Sequence, residues 1–178
     1  MTIHVRTPFA LDKNLGREYN NAFKDVDEND WVCLRDHDSL FLTSDAIPIM
    51  YEYVNAFPDT GIFTAWCNRI HPLSVNQLFL GSPSNDFDIK NWEYRARIQS
   101  KTKTIATEIN HPISGFLMLI SKKTWNEIKF MEGHGCLGID NFFSQEVLKS
   151  GRKILRMDRL VVWHSYRLNN ITDKSHLK

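Results

Sequence analysis

The chain has 178 residues, 42% of them hydrophobic and 24% charged, which fits one globular domain with a proper core. Its 22 basic and 21 acidic residues leave a formal charge of +1, which excludes a nucleic-acid binder that works through an overall excess of Lys and Arg. Cys33, Cys67 and Cys136 are widely spaced with no CxxC pair, so neither a disulfide framework nor a cysteine zinc site is expected, and the expected compartment is the cytoplasm.

Met1 to Val5 lacks the apolar core of a signal peptide, and no run approaches the ~20 apolar residues of a membrane span; a membrane-borne acceptor would be met peripherally. Ile3 to Arg6 reads as a short strand closed by Thr7-Pro8. Asn14 is placed to cap a helix whose apolar positions are Leu15, Tyr19, Ala22, Phe23 and Val26. Trp31 to Leu34 is a strand-like run that leads into Arg35-Asp36-His37-Asp38. Ser44 opens a second predicted helix with Ile47, Met50, Tyr51 and Val54 on one face, and Gly61 to Trp66 is another strand. From Cys67 to Pro112 the pattern is less regular, with one amphipathic helix around Ile89, Trp92 and Ala96.

Gly115 to Ile120 reads as a strong strand, and Ser121 is placed to cap the helix after it. Phe130 to Gly138 is a glycine-rich loop, and the helix of Ile139, Phe142, Phe143 and Val147 stops at Ser150-Gly151. Ile154 to Trp163 gives one or two last strands. The alternation of strands and helices predicts an α/β layered domain with a mostly parallel central sheet over residues 1–168, followed by a polar tail, 169–178.

Three features carry chemistry. In extended chain, residues two apart point to one face, so Asp36 and Asp38 are expected to project together at the carboxyl end of a strand, where open α/β sheets place ligands. Such oxygen ligands suit magnesium or manganese, although a DxD taken alone is more often a polar turn. Val161-Val162-Trp163-His164 is an apolar strand ending in an imidazole, either a metal ligand that would favour manganese or a histidine bonded to a backbone carbonyl. Asp140 follows the glycine loop at the start of a helix, where a carboxylate is a general base, a helix cap, or both.

The order of these features resembles the glycosyltransferases of the GT-A fold, especially the family-two type. A strand plus DxD is followed by the glycine-bearing strand Ile113-Ser114-Gly115-Phe116-Leu117-Met118 and an acidic residue opening a helix. Then come the "G-x-K-I"-like Gly151-Arg152-Lys153-Ile154 and a strand ending in His. Asn14 to Asn20 is similar to the family's "N-x-G-x-x-x-A-R-N" helix. The chain departs from that pattern in three places. Tyr19 stands where the helix usually has Arg, Ile139 replaces an acidic residue before Asp140, and only Phe9 to Lys13 occupy the place of the strand and "D-D-G-S" motif that help to hold the base.

The resemblance implies transfer of a sugar from a nucleoside diphosphate sugar to a hydroxyl of a glycan or glycoconjugate, with inversion. It implies Mn2+ (or Mg2+) held by Asp38 and His164, Asp36 at the ribose or a metal-bound water, and Asp140 as base. Thr7, Pro8, Arg17 and Gly115 would line the sugar-nucleotide site, with Arg17 near a phosphate oxygen, and the glycine loop would close over the donor. Trp66, Trp92 and Tyr94 are expected either to stack on sugar rings or to pack the core. The alternatives are a non-catalytic sugar-nucleotide or partner-binding module of the same fold, and a metal-dependent phosphoesterase.

Overall fold

The computed structural model describes residues 1–81 and 84–166, apart from the side chains of Pro72 and Leu73. The predicted polar tail, 169–178, lies outside the described residues. In chain order the strands are β1 (Ile3–Arg6), β2 (Trp31–Arg35), β3 (Ser39–Phe41), β4 (Thr60–Cys67), β5 (Ala106–Glu108), β6 (Leu117–Ser121) and β7 (Lys153–His164). The helices are α1 (Leu15–Asn21), α2 (Ala46–Ala56), α3 (Ile89–Ser100), α4 (Lys122–Glu127) and α5 (Ile139–Lys149). No helix among the described residues is long and apolar enough to cross a membrane.

These elements form a single α/β domain around one open, seven-stranded sheet of order β1-β2-β6-β4-β7-β3, with β5 also paired to β7. The sheet is mixed, which corrects the expectation of a mostly parallel one. Only β1–β2 and β4–β7 pair in parallel, whereas β2–β6, β4–β6, β3–β7 and β5–β7 are antiparallel. Strand direction is invisible in hydropathy here. Leu117 to Ile120 in β6 are all buried, so the run reads alike whichever way it points. β3 and β5, three residues each, are too short to leave a periodic signal.

Local capping chemistry follows the sequence in two places. Asn14 accepts the Arg17 N–H at 3.3 Å, and Ser121 Oγ accepts the Thr124 N–H at 3.0 Å. Helix α1 stops at Asn21, short of the expected Val26, and Phe23 and Val26 reach the core from the turns that follow. Helix α2 begins at Ala46 with Asp45 before it and no side-chain cap from Ser44.

Each face of the sheet is covered. On one, Ile49, Met50 and Tyr53 of α2 pack on Cys33, Phe63, Ala65, Leu117 and Leu119. On the other, Tyr19, Phe23, Trp125, Phe143 and Val147 pack on Val32, Leu34, Met118, Ile120 and Ile154. The period-two alternation of β2 sends Val32 and Leu34 to the second face and Trp31 and Cys33 to the first. Because β6 runs antiparallel to both β2 and β4, strands β1, β2, β4 and β7 all point one way. Their carboxyl ends meet the amino end of β6 along a single edge, where Asp36 follows β2 and His164 ends β7.

Candidate active site

At that edge β2 ends in Arg35 and the chain turns at once. The Asp36 N–H donates to the Phe116 carbonyl at 3.1 Å, just ahead of β6. Ser39 closes the turn, its N–H and its hydroxyl both donating to the Asp36 carbonyl, at 3.2 and 2.8 Å. The Arg35 guanidinium donates to the Ser39 carbonyl. The chain then returns as β3, and the β3–β7 register sets Ser39 opposite His164. Asp36-His37-Asp38 is therefore a turn, not the extended segment expected, and its carboxylates converge because the turn is pinned to β6 and β7. The Asp38 carbonyl accepts from the Ser165 N–H at 2.9 Å and from its hydroxyl at 3.1 Å.

His164 is gripped from two sides by one dipeptide at the end of β4. Its backbone N–H donates to Asn68 Oδ1 at 2.6 Å, and its ring Nδ1 lies 2.9 Å from the Arg69 carbonyl oxygen. The ring stacks on Phe116, with centroids 5.4 Å apart. A carbonyl oxygen only accepts, so Nδ1 carries a proton, and Nε2 on the opposite side of the ring offers a lone pair when the ring is neutral and a second N–H when it is charged. Nε2 faces Asp38 Oδ1 at 3.3 Å and Asp36 Oδ2 at 3.9 Å.

One ligand atom from each of Asp36, Asp38 and His164 fits within a 4.8 Å cluster. Three electron-pair donors facing one another repel unless a proton or a cation lies between them. A carboxylate–carboxylate–imidazole set fits a divalent ion with mixed oxygen and nitrogen preference, manganese above magnesium. The imidazole is almost fully buried while both carboxylates keep about a third of their surface exposed, 37% for Asp36 and 31% for Asp38, so the cluster opens to solvent on the carboxylate side.

The electrostatics separate the two acids. Burial, with the charges of Asp38 and Asp140, pushes Asp36 up to about 6 against the opposing pull of His164 and His37. Burial acts upward on Asp38 too, but hydrogen bonding to His164 and Ser165 and the charges of His164 and His37 outweigh it and hold Asp38 below its ordinary value.

Asp140 belongs to the same neighbourhood, since its charge reaches Asp36. It is not the cap of α5, a position taken by Gly138 in a left-handed conformation with φ +75°. Asp140 Oδ2 instead accepts the Gly115 N–H at 2.6 Å, and Oδ1 accepts the Asn141 N–H at 2.9 Å. A Cβ on residue 115 would sit 2.8 Å from the Asp140 Cβ, so only glycine leaves the carboxylate this seat. Asp36, Asp38, Gly115, Asp140 and His164 are thus gathered at one end of the sheet.

Neither a protein-family model nor a curated protein matches this sequence. The case for function therefore rests on the geometry.

The remaining sequence-predicted residues are placed differently. Thr7 and Pro8 continue from β1, which runs parallel to β2, so they leave the sheet at the same edge, with Thr7 exposed. The Arg17 guanidinium is already held by Asp12 at 2.7 Å and Glu18 at 2.7 Å, and a phosphate oxygen would have to replace those carboxylates. Trp92 is buried with its indole N–H on the Asp86 carbonyl, and Trp66 lies under the Arg156 guanidinium at 3.3 Å, so both serve packing. Tyr94 alone of the three aromatics is exposed, at 65%. The glycine loop is fastened to α1, because the Gly133 N–H donates to Asn14 Oδ1 and the Leu15 N–H to the Gly135 carbonyl.

Asn68, Arg69 and Phe116 escaped the sequence reading, since a lone Asn after a strand carries no signal of its partner 96 positions away. Removing the acceptor in Asn68→Ala frees the His164 backbone, and a loss of metal affinity of about tenfold is expected. Manganese titration by calorimetry checks it.

Proposed function

We propose that this protein is a metal-dependent glycosyltransferase of the GT-A kind, moving a sugar from a nucleoside diphosphate sugar to a hydroxyl of a glycan or glycoconjugate with inversion. The observation that carries the reading is the His164 Nε2 turned onto Asp36 and Asp38 at the carboxyl edge of the sheet, with Asp140 beside them. Asp38 and His164 would hold Mn2+ (or Mg2+), with Asp36 toward the ribose or a metal-bound water. The bound cation supplies neutralisation of the charge that grows on the departing diphosphate.

The base role falls to Asp140. The Gly115 N–H and the α5 backbone orient its carboxylate; Oδ1 accepts twice from Asn141, and Oδ2, which accepts only the Gly115 N–H, keeps a lone pair that can take the proton of the acceptor hydroxyl. One base acting on one attacking hydroxyl fits a single in-line displacement, which inverts the anomeric centre. A product of retained configuration would refute that step.

One observation favours a binding module without turnover: Arg17, the phosphate candidate, is committed to Asp12 and Glu18. Turnover of any sugar nucleotide by the intact chain, absent in Asp140→Asn, excludes it. The donor site itself is tested by calorimetric titration of UDP and of GDP with and without manganese. Binding of one of them that requires manganese is the expected result. No binding of either under any condition removes the donor-site assignment.

A further inference from the structure

Helix α3 has two unlike faces. Trp92, Ala96 and Ser100 recur every four residues as its buried line, and Trp92 and Ala96 pack on Leu42, Val161 and Trp163. Lys90, Tyr94, Arg97, Ile98 and Lys101 recur at the same period on the opposite side, and all five are exposed. Lys103 and Ile105, exposed as well, follow directly.

The charge of this face is one-sided. Residues 90–103 hold five basic residues and a single acid, Glu93, in a chain whose formal charge is only +1. The acids just before the helix are engaged, because Asp88 accepts the Lys90 N–H at 2.9 Å and Asp86 accepts from the Asn91 amide. Lys90, Arg97, Lys101 and Lys103 enter no ion pair among the described residues. Lys149, Arg152 and Lys153, on other elements, each have a carboxylate partner.

Large apolar side chains interleave with these cations. Tyr94 is 65% exposed, Ile98 53% and Ile105 56%. A helix face that meets only water gains nothing from them. A bilayer with anionic headgroups meets both kinds of side chain, phosphate against Lys and Arg, and the acyl boundary against Tyr and Ile. An RNA strand would engage the cations but has no hydrocarbon to offer Ile98 and Ile105.

We propose that the exposed face of α3, formed by Lys90, Tyr94, Arg97, Ile98 and Lys101, docks the protein on an anionic lipid bilayer. The proposal goes beyond the sugar-transfer reading and does not depend on it. Arg69 ties the start of this helix to the candidate site. Its guanidinium donates to Asn85 Oδ1 at 3.0 Å and lies over the Phe87 ring, while its carbonyl oxygen meets the His164 ring.

The test is co-sedimentation of the full chain with vesicles of phosphatidylcholine alone and with 30% phosphatidylserine. Binding is expected only to the anionic vesicles, weakening as salt is raised. The triple variant Lys90→Gln, Arg97→Gln, Lys101→Gln is expected to lose about a hundredfold in affinity. Tyr94→Ser with Ile98→Ser is expected to lose about tenfold, with the salt dependence kept. All five positions are exposed, and an unchanged melting temperature confirms that the variants fold. Three exposed lysines elsewhere, Lys24, Lys123 and Lys149, changed together to Gln, serve as the charge-matched control. An equal loss in that control overturns the proposal, since net charge alone would then explain binding. No binding of the wild type to anionic vesicles overturns it too, as does binding that survives the α3 triple variant. Tighter binding to a single-stranded RNA oligomer than to the vesicles, lost in the α3 triple variant, overturns it by giving the face to nucleic acid.

Discussion

Asp140→Asn is expected to cut turnover of the sugar nucleotide by about 10²–10⁴-fold while leaving manganese-dependent diphosphate binding within about twofold of wild type. The substitution keeps the size of the side chain, and an amide oxygen can still accept the Gly115 N–H that Asp140 Oδ2 takes at 2.6 Å. What it removes is the capacity to take a proton. Steady-state kinetics set beside calorimetry separate the two effects. Loss of binding along with turnover would make Asp140 a structural support for the Gly115 segment, and unchanged turnover would place the base elsewhere.

Asp38→Asn is expected to abolish manganese binding, with at least about a hundredfold loss, because it deletes the carboxylate that directly faces the imidazole Nε2. In the wild type, manganese affinity should rise as pH increases through about 6, where Asp36 gives up its proton. The same group acts oppositely on the metal-free fold. Asp36 is raised from 3.8 to about 6 on folding, so its contribution to stability is fully present below 3.8 and is lost as pH rises through about 6. Thermal melts across that window should show the Asp36 contribution declining without manganese and the ion restoring stability near neutral pH. A manganese effect on melting that is independent of pH would sink the assignment of Asp36 to the cluster.

Much of this site was legible because its pieces are local. Asp36 and Asp38 are two residues apart, and the strand before them is marked by four consecutive buried residues, Trp31 to Leu34. The ends of α5 were visible for a similar reason, with glycines in positive φ at Gly138 and Gly151. Pairing was not legible. Nothing in the sequence of Ser39-Leu40-Phe41 announces that it lies on β7, although that pairing is what brings His164 to Asp38. The seat of Asp140 on the Gly115 N–H joins residues 25 apart, and sequence reasoning offered a cap instead because capping is a local rule and close approach of backbone is not. The tryptophans were ambiguous since stacking on a sugar and filling a core call for the same side chain, and burial decided for the core at Trp92.

The site is a seam between chain segments made at very different times. Asp36 is pinned to Phe116, Asp38 to Ser165, and the imidazole arrives only with the last rung of β7. A nascent chain that has left the ribosome as far as β6 displays both carboxylates without the ring that completes the cluster. With the proposed metal site, manganese capture would report on docking of the final strand, and a chain stalled before residue 164 would stay blind to the ion however well its earlier strands had paired.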